Sequence, residues 1–306
     1  MGRYILKRLW HGIIVILGVT VIVFTVTRMI GDPVKLMLPL EATVEQRAVF
    51  EKQLGLDRPI PIQFVEFLGD MARFDFGDSL WQHRPAMEIV FERMPYTLGL
   101  SFAAIGLAVL LAVPLGIVAA LRPGGVSDRS TVFFSLLGLS IPQFWLGLLL
   151  IVVFAVNLHW LPTSGAATPT HMLLPAITLA LPALARIVMI VRSSMIDELN
   201  RQYVKTAFAK GLPVARVVGL HALRNAGLPV VTLVGWELIR AVAGYSVVVE
   251  TVFAWPGLGM TAMQAIDRED LILLQAIVFT VAILVVLINI LMDAAYTVID
   301  PRLKLS

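Results

Sequence analysis

Long apolar runs recur along the whole chain and predict helices that cross a membrane. A transmembrane helix needs about 20 apolar residues to span roughly 30 Å of hydrocarbon, whereas a barrel strand would alternate over about ten residues. The pattern therefore predicts an all-α integral membrane protein with six transmembrane helices. The six runs cover residues 9–30, 97–121, 130 to about 156, 173 to about 191, 229 to about 253, and 273 to about 299.

The third and fourth runs lie in a stretch without any charged residue, from 130 to 185, which is too long for one helix. Pro162, Gly165 and Pro169 mark a tight connection within it, because these residue types favour turns. The stretch is therefore expected to form two antiparallel spans.

The composition agrees with a membrane protein. Hydrophobic residues make up 58% of the chain and charged residues 15%, against about 25% in soluble domains. Cysteine is absent, which excludes disulfides, thiolate metal sites, iron–sulfur clusters and cysteine nucleophiles from this chain.

Charge is distributed unevenly between the predicted connections. The N-terminus, the second and fourth connections and the C-terminus sum to +9, whereas the first and fifth connections sum to −4 and −2. Positive residues favour the cytoplasmic side, so both termini are expected there. This divides the chain into the N-terminus with the first span (1–30), an external segment expected to form short helices (31–96), and a five-helix core (97–306). The core includes a cytoplasmic loop at 192–228.

Motifs for nucleotide binding and hydrolysis are missing from the sequence. It contains no Gly-x-x-x-x-Gly-Lys-Ser/Thr, no His-Glu-x-x-His and no Gly-x-Ser-x-Gly. His159 and His171 share one predicted connection and have the chemistry to bind a metal together, but no ligand spacing supports a site. Hydrogen-bonded or interfacial histidines are expected instead, with no metal and no cofactor bound by this chain.

The connection between the fourth and fifth spans, 192–228, is basic and long enough for two helices. Within it a short helical pattern carries small residues at Thr206, Ala207 and Ala209 and ends at Gly211. Glycine is typical of a helix end, and small side chains let a helix approach another backbone closely. The segment is therefore predicted to dock into another protein.

Short motifs follow one another in a particular order along nearly the whole chain. Lys-Thr-Ala-x-x-x-Gly at 205–211 is followed by His-Ala-Leu-Arg-Asn-Ala at 221–226. Other motifs are Gly-Asp-Pro at 31–33, Leu-Gly-Leu-Asp at 54–57, Asp-Phe-Gly-Asp-Ser at 75–79, Ser-x-Pro-x-Phe-Trp at 140–145, Trp-Leu-Pro at 160–162, Arg-Ser-Ser-Met at 192–195, Glu-Thr-Val-Phe-Ala-Trp-Pro-Gly-Leu-Gly at 250–259 and Asp-Pro-Arg at 300–302.

In this order and spacing the motifs resemble the permease subunits of binding-protein-dependent ABC importers, in the dipeptide, oligopeptide, glutathione and nickel group. The 205–211 motif resembles the Glu-Ala-Ala-x-x-x-Gly loop of that superfamily. Of the two permease types in such operons, the first-named is the closer fit. The resemblance implies the type I ABC importer permease fold and a multi-pass protein of the cytoplasmic (inner) membrane of a bacterium or archaeon.

The resemblance also implies the partners. They are a second permease chain, expected to be distinct and so to form a heterodimer, two cytoplasmic ATPases that bind ATP and Mg²⁺, and an external solute-binding protein. Membrane lipid is the only other expected partner, and no nucleic acid is expected.

ATP-driven closure of the ATPases would act through the loop at 197–226 and rock the paired helix bundles between inward and outward openings. The turn after the fifth span would lie near the binding protein and the outer gate, with Trp255, Pro256, Gly257 and Gly259 as its candidates. The residues expected to serve the coupling are Tyr203, Lys205, Thr206, Ala207, Lys210, Gly211, His221, Arg224 and Asn225.

Charged side chains inside predicted spans each need a partner, a water-filled cavity or a route to the interface, because they cost roughly 2.5–3.5 kcal/mol at the helix centre. Arg28 and Asp293 lie near the ends of their spans and are expected to reach the interface, or, for Asp293, to cap a neighbour. Glu237 and Arg240 lie deeper and share one helix face. One hypothesis is that they line the translocation path and pair when it is empty; the other is an ion pair without solute contact.

Three further residues are candidates for the translocation path. Arg186 departs from the resembled family, whose members often carry an arginine at the position of Met189, about one helical turn away. Ser140 and Gln143, on either side of Pro142, complete the set.

Two other functions remain as alternatives. An autonomous ion-coupled secondary transporter would use intramembrane carboxylates such as Glu237, Glu250 or Asp293, but six unrepeated spans and a basic docking loop disfavour it. An intramembrane serine protease is disfavoured because no serine with a histidine on a neighbouring span is evident. The solute is left open among peptides, opines, glycosides, glutathione and chelated nickel.

Overall fold

The computed structural model describes residues 2–30 and 57–299, together with the single positions 43 and 52. The predicted external segment is thus described from residue 57 onward. The motifs at 31–33 and 300–302 lie outside the described residues, as does most of the motif at 54–57.

Helices make up most of the described residues, in which no strand forms; an isolated antiparallel bridge joins Asp78 and Pro85. A π-helical turn, Ile151–Asn157, extends α5, and a 3₁₀ turn, Pro169–Met172, precedes α6. The helices are α1 (Gly2–Ile30), α2 (Ile60–Ala72), α3 (Ala86–Leu121), α4 (Val126–Ser140), α5 (Gln143–Leu150), α6 (Leu173–Leu199), α7 (Gln202–Ala209), α8 (Val214–Val252), α9 (Leu258–Asp267) and α10 (Leu271–Ile299).

Four helices of the described chain are long and apolar enough to cross a membrane, namely α3, α6, α8 and α10. The bent pair of α4 and α5 gives a fifth crossing if it is counted as one span. In α1 the apolar part is the shorter segment Trp10–Val26. In chain order these elements correspond to the six predicted spans.

The third predicted span is broken, so the expectation of one continuous helix over 130–156 is wrong. The axes of α4 and α5 differ by 99°. Ile141, between them, is extended at φ −81° and ψ 124°. The residue before a proline is disfavoured in the helical region, and Pro142 has no N–H to continue the helix, so the helix can break at this position.

Two helices begin well before the apolar runs that predicted them. The second span was expected from residue 97 and the fifth from residue 229, whereas α3 begins at Ala86 and α8 at Val214. Hydropathy marks the part of a helix that suits hydrocarbon, and polar turns can extend the same helix beyond that part. Residues 86–96 and 214–228 therefore belong to long helices.

Each long helix leads from one end of the bundle to the other. We call the end with residues 122–125 and 200–213 the basic end, and the opposite end, with 158–168 and 253–270, the acidic end. At the acidic end the predicted turn between the third and fourth spans is present, and the Gly165 N–H donates to the Phe253 carbonyl at 2.9 Å. The main core lies between α3, α6 and α8.

Close packing of α3 against α6 depends on a glycine. A Cβ atom at Gly116 would lie 2.7 Å from Val191 side-chain atoms and 3.0 Å from the Val188 carbonyl oxygen. The other buried positions on this face of α3 include Ala104, Ala108 and Ala112. Small residues of this kind allow helix backbones to approach closely within a membrane.

We expect Gly116→Ala to destabilise the protein by about 1–3 kcal/mol, because a β-branched side chain and a backbone carbonyl leave no room for the added methyl group. Gly106→Ala, in the same helix with nothing within 4 Å of the added atom, is the matched control and should be neutral or slightly stabilising. Thermal midpoints of the two purified variants in detergent test this. Equal midpoints would show that this interface is not tightly packed.

A cluster of aromatic rings attaches α2 to the bundle. Phe24 of α1 lies 5.1 Å from Phe64 and 5.6 Å from Phe67 of α2, between ring centroids. Phe76 lies 5.3 Å from Phe279 of α10. The segment before the second span, which was expected to form short helices, thus forms one. Its aromatic side chains pack on α1, and Phe76 after the helix packs on α10.

Candidate functional site

A buried carboxylate between two guanidinium groups lies about midway along the bundle. Glu237 of α8 has 1% of its side chain exposed. Arg186 of α6 donates to it through Nε and Nη2, at 2.7 and 2.8 Å from Oε1 and Oε2. Arg240, one turn further along α8, donates from Nη1 to Oε1 at 3.0 Å. We call these three residues the charge triad.

The predicted ion pair between Glu237 and Arg240 is present, but the bidentate partner of Glu237 is Arg186. This contact was not among the predictions, although the sequence carries a signal for it. Counted from the basic end of the predicted spans, Arg186 and Glu237 lie at depths of about 8 and 12 Å at 1.5 Å per residue. Opposite charges at similar depth in two spans are expected to pair, because each is costly alone.

A π-helical turn, Ala241–Tyr245, directly follows the charge triad in α8. Such turns are rare and concentrate at functional sites. The guanidinium of Arg186 lies 5.9 Å from the ring centroid of Tyr245 at the end of this turn. Arg186 therefore contacts α8 just before the irregular turn and at the end of it.

The two candidates beside Pro142 make other contacts. The Ser140 hydroxyl donates to the Leu136 carbonyl in its own helix at 2.8 Å. Gln143 Nε2 lies 3.5 Å from the Thr178 carbonyl of α6. Neither side chain hydrogen-bonds to the charge triad, so their place in a translocation path stays a prediction.

The predicted docking segment forms a short helix, α7, at the basic end. Val204 is buried and anchors it, whereas Lys205, Thr206 and Lys210 are exposed and Ala207 is partly buried. The side chain of Thr206 donates to the Gln202 carbonyl within the helix. The helix thus has one anchored face and one face open to a partner.

Gly211 ends α7 as expected from its position. Its φ is +76°, which is strained for residues with a Cβ atom. The Gly211 N–H donates to the Phe208 carbonyl at 2.9 Å and the Leu212 N–H to the Ala207 carbonyl at 3.3 Å. This pair of bonds is the Schellman motif, which satisfies carbonyls at a helix end.

A tyrosine ties α7 to its neighbouring helices. The Tyr203 hydroxyl donates to Glu198 at 2.5 Å and accepts a bond from Asn225 Nδ2 at 2.9 Å. Partial burial raises the pKa of the Tyr203 phenol, which therefore stays protonated as this donor. His221 and Arg224 lie in the first turns of α8, partly buried and exposed respectively. The coupling candidates thus surround one junction of α6, α7 and α8.

A second ion pair fixes the same end of the bundle. Arg192 of α6 binds both carboxylate oxygens of Asp128 in the first turn of α4, with Nη2 at 2.8 Å from Oδ2. Asp128 is 3% exposed and also accepts from the Gly124 N–H at 2.8 Å. Arg192 belongs to the Arg-Ser-Ser-Met motif at 192–195, but its partner Asp128 was not predicted from the sequence.

At the acidic end, the turn after α8 closes over a buried carboxylate, Glu250. Its Oε1 accepts from the Thr97 hydroxyl at 2.7 Å, and its Oε2 accepts from the Met260 N–H at 3.0 Å. Thr97 in turn accepts from the Leu258 N–H at 2.7 Å. Glu250 therefore caps the start of α9 and attaches it to α3.

The gate candidates of this turn are placed by the same carboxylate. A Cβ atom at Gly257 would lie 2.4 Å from Glu250 atoms, and one at Gly259 would lie 2.6 Å from the Val247 backbone. The Trp255 indole N–H donates to the Tyr96 carbonyl at 3.1 Å, while Pro256 is partly buried. The two glycines are thus required for the close approach, and the motif that contains them surrounds Glu250.

Predictions for the remaining charged and histidine residues have different outcomes. Asp293 pairs with Arg8 of α1 at 2.7 Å, because an antiparallel neighbour brings the opposite charge to the same depth. The side chain of Arg28 lies outside the described part of the chain. His171 bonds to Thr168 in its own turn, and the described residues contain no cluster of three possible metal ligands.

Comparison with known proteins identifies the family. The family "Binding-protein-dependent transport system inner membrane component" matches residues 112–305, and the corresponding N-terminal family matches residues 1–101. The chain belongs to this permease family. It is therefore the membrane-spanning component of a binding-protein-dependent transport system, as the motifs indicated.

Relatives of this permease span its whole length. The oligopeptide transport system permease protein AppB of Bacillus subtilis is 38% identical over 316 residues, covering 99% of this chain and 100% of the relative. The glutathione transport system permease protein GsiC of Salmonella typhimurium is 38% identical over 305 residues, covering 99% of each.

A solved structure confirms the type of fold. In an inward-facing crystal form of the MetNI methionine ABC transporter, one chain matches 70% of this permease and 97% of its own length, with a TM-score of 0.59 and 20% identity. The permease thus has the ABC importer membrane fold predicted from the motifs. Family membership also disfavours the autonomous secondary transporter.

Proposed function

We propose that this chain is the permease subunit of an ATP-driven importer for oligopeptides or a related solute such as glutathione. The observation that carries the proposal is the full-length similarity to permeases named for these two solutes. In the assembly the chain pairs with a second, distinct permease, two ATPases that hold ATP and Mg²⁺, and a solute-binding protein. It hydrolyses no ATP itself.

We further propose that the basic end faces the cytoplasm and the acidic end faces outward, in a bacterial inner membrane. The excess of positive charge at one set of connections supports this orientation. It places α7 where an ATPase can reach it and the Trp255 turn where a binding protein can dock. We propose that the charge triad lies on the translocation path between them.

The open face of α7 supports a coupling role. Its anchoring through Val204, Tyr203 and Asn225 joins it to the start of α8, which also carries Glu237 and Arg240. A displacement of α7 would therefore be transmitted directly to the helix that contains the charge triad. Rocking of packed helices of this kind is a common form of switching.

Replacing Gly211 with arginine is expected to abolish recovery of the ATPases with this chain, because a long charged side chain would project from the end of the docking helix. Gly124→Arg is the matched control: Gly124 also has a φ of +76° and nothing within 4 Å of an added Cβ, but it lies in the connection between α3 and α4. Both variants therefore carry similar backbone strain.

The measurement is mass spectrometry of proteins that co-purify with each tagged variant from mildly solubilised membranes, followed by ATP-dependent uptake of a labelled oligopeptide in liposomes. Wild type should recover a second permease and ATPases containing a nucleotide-binding loop. Equal loss of the ATPases in both variants would attribute the effect to strain, and no loss in either would remove α7 as the docking element. Uptake without ATP or partners would contradict the importer.

A further inference from the structure

The charge triad is not neutral. Two guanidinium groups, those of Arg186 and Arg240, contact the Glu237 carboxylate. Among residues 2–30 and 57–299, Glu237 is the carboxylate that contacts both of them. Guanidinium groups stay protonated in proteins, so an ionised Glu237 leaves one positive charge in excess. Such a group needs compensation where the surroundings are apolar.

The excess charge lies deep in the predicted membrane and is open to the outside of the chain. Arg240 is near the middle of the predicted span 229–253, and 44% of its side chain is exposed. Lipid is the least favourable surrounding for a guanidinium at this depth. The exposed side of Arg240 therefore faces either a water-filled path or another protein.

The two arginines differ in how far Glu237 occupies them. Arg186 donates two hydrogen bonds to the carboxylate and is 25% exposed, whereas Arg240 donates one, from Nη1. Glu237 thus holds Arg186 in place and contacts Arg240 through Nη1, which leaves the other donors of Arg240 without a bond to this carboxylate. A planar guanidinium with free donors fits a carboxylate better than any other common group.

Exposed aromatic side chains lie before and after Arg240 along α8. Trp236, one turn before Arg240 on the same helix, is 51% exposed, and Tyr245 in the π-helical turn is 42% exposed. Such rings provide contact area that accepts varied organic groups while the charge fixes one group. The combination is that of a binding surface with a single ionic anchor.

We infer that Arg240, oriented by Glu237 and backed by Arg186, forms an anion subsite that receives a carboxylate of the solute during its passage. This inference rests on the proposed function and deepens it, since it makes a negatively charged group a requirement of the path itself. For a peptide, the group present in every member of the class is the C-terminal carboxylate. The permease then adds a selection step to that of the binding protein.

The test uses the complete transporter in liposomes and two labelled probes, tri-alanine and its C-terminal amide. Initial ATP-dependent uptake of each probe is measured for wild type and for Arg240→Gln with the same solute-binding protein. The preference of the binding protein is the same for both permeases and cancels when their acid-to-amide ratios are compared. Loss of a charge-assisted hydrogen bond predicts a ratio at least about tenfold lower in Arg240→Gln.

Two further variants are compared with Arg240→Gln in the same assay. Glu237→Gln removes the competing carboxylate and should keep or raise the acid-to-amide ratio. Arg129→Gln, which changes an exposed arginine in the first turn of α4 at the basic end, should leave it unchanged. If Arg240→Gln cannot be purified, Arg240→Lys replaces it and should lower the ratio partially, because lysine keeps the charge but loses the planar pair of donors.

The thermal midpoint of the purified transporter without binding protein is a second measurement. Tri-alanine should raise the wild-type midpoint more than its amide does, and Arg240→Gln should remove the difference. An unchanged acid-to-amide ratio in Arg240→Gln would overturn the inference. Equal slowing of both probes together with loss of the second permease would also overturn it, and would place Arg240 at a subunit contact. If wild type imports neither probe with ATP, the proposed peptide import fails. In that case, equal thermal midpoints of wild type with tri-alanine and with its amide would overturn the anion subsite as well.

Discussion

Replacing Glu250 with alanine is expected to release the turn that follows α8 and to destabilise the protein by about 3 kcal/mol or more, since each buried donor left without an acceptor costs about 1–3 kcal/mol. The Thr97 hydroxyl and the Met260 N–H both lose their acceptor, and the Leu258 N–H loses the orientation of Thr97. The start of α9 would then be held on α3 mainly by apolar contacts.

The effect should be local before it is global. Amide hydrogen exchange of residues 253–261 should accelerate at temperatures where the core of α3 and α6 is still protected, because the lost bonds belong to this turn. The thermal midpoint in detergent should fall as well. Asp267→Ala, an exposed carboxylate in the same helix, is the control and should change neither measurement. A similar exchange rate in Glu250→Ala and wild type would show that the carboxylate does not hold the turn.

Apolar runs predict the helices well, but they do not predict where a helix breaks. Pro114, Pro182 and Pro229 lie inside α3, α6 and α8, whereas Pro142 separates α4 from α5. A proline removes one hydrogen bond wherever it occurs, and neighbouring helices decide whether the chain bends or continues. Without the packing, the four prolines are indistinguishable in the sequence.

Features that depend on neighbouring residues in the sequence are predicted more reliably than contacts between helices. Gly211 was expected at the end of a short helix, and its φ of +76° and two terminal hydrogen bonds confirm this. Glu250, by contrast, was considered only as the start of the 250–259 motif and as a proton site of a secondary transporter. Its role as a cap depends on residues near positions 97 and 260 that are far apart in sequence. Such a contact requires the topology of the bundle.

The charge triad shows the same limit of prediction from sequence. Glu237 and Arg240 lie three residues apart, so the helix alone predicts their contact. The contact with Arg186 comes from another helix, 51 residues away in sequence. The stronger of the two interactions was thus the one that the spacing of residues did not show.

Arg186→Met is expected to destabilise the protein by about 3–5 kcal/mol, because removing one partner of a buried ion pair leaves a charge without adequate compensation. Glu237 would keep a single hydrogen bond, from Arg240, whose side chain is 44% exposed. Arg240→Met should cost less, since the bidentate bond from Arg186 remains. The order of the two thermal midpoints is the first measurement.

The triple variant Arg186→Met/Glu237→Met/Arg240→Met separates charge from packing. Replacing all partners of a buried ionic group by apolar side chains is often neutral or stabilising, so the triple variant should recover most of the loss. A triple variant as unstable as Arg186→Met would attribute the loss to packing, and equal midpoints for Arg186→Met and Arg240→Met would contradict the bidentate assignment. If the midpoint recovers while peptide uptake stays low, the charges serve transport and not the fold. A stable bundle without its triad would then show that this part of the molecule is kept for the solute.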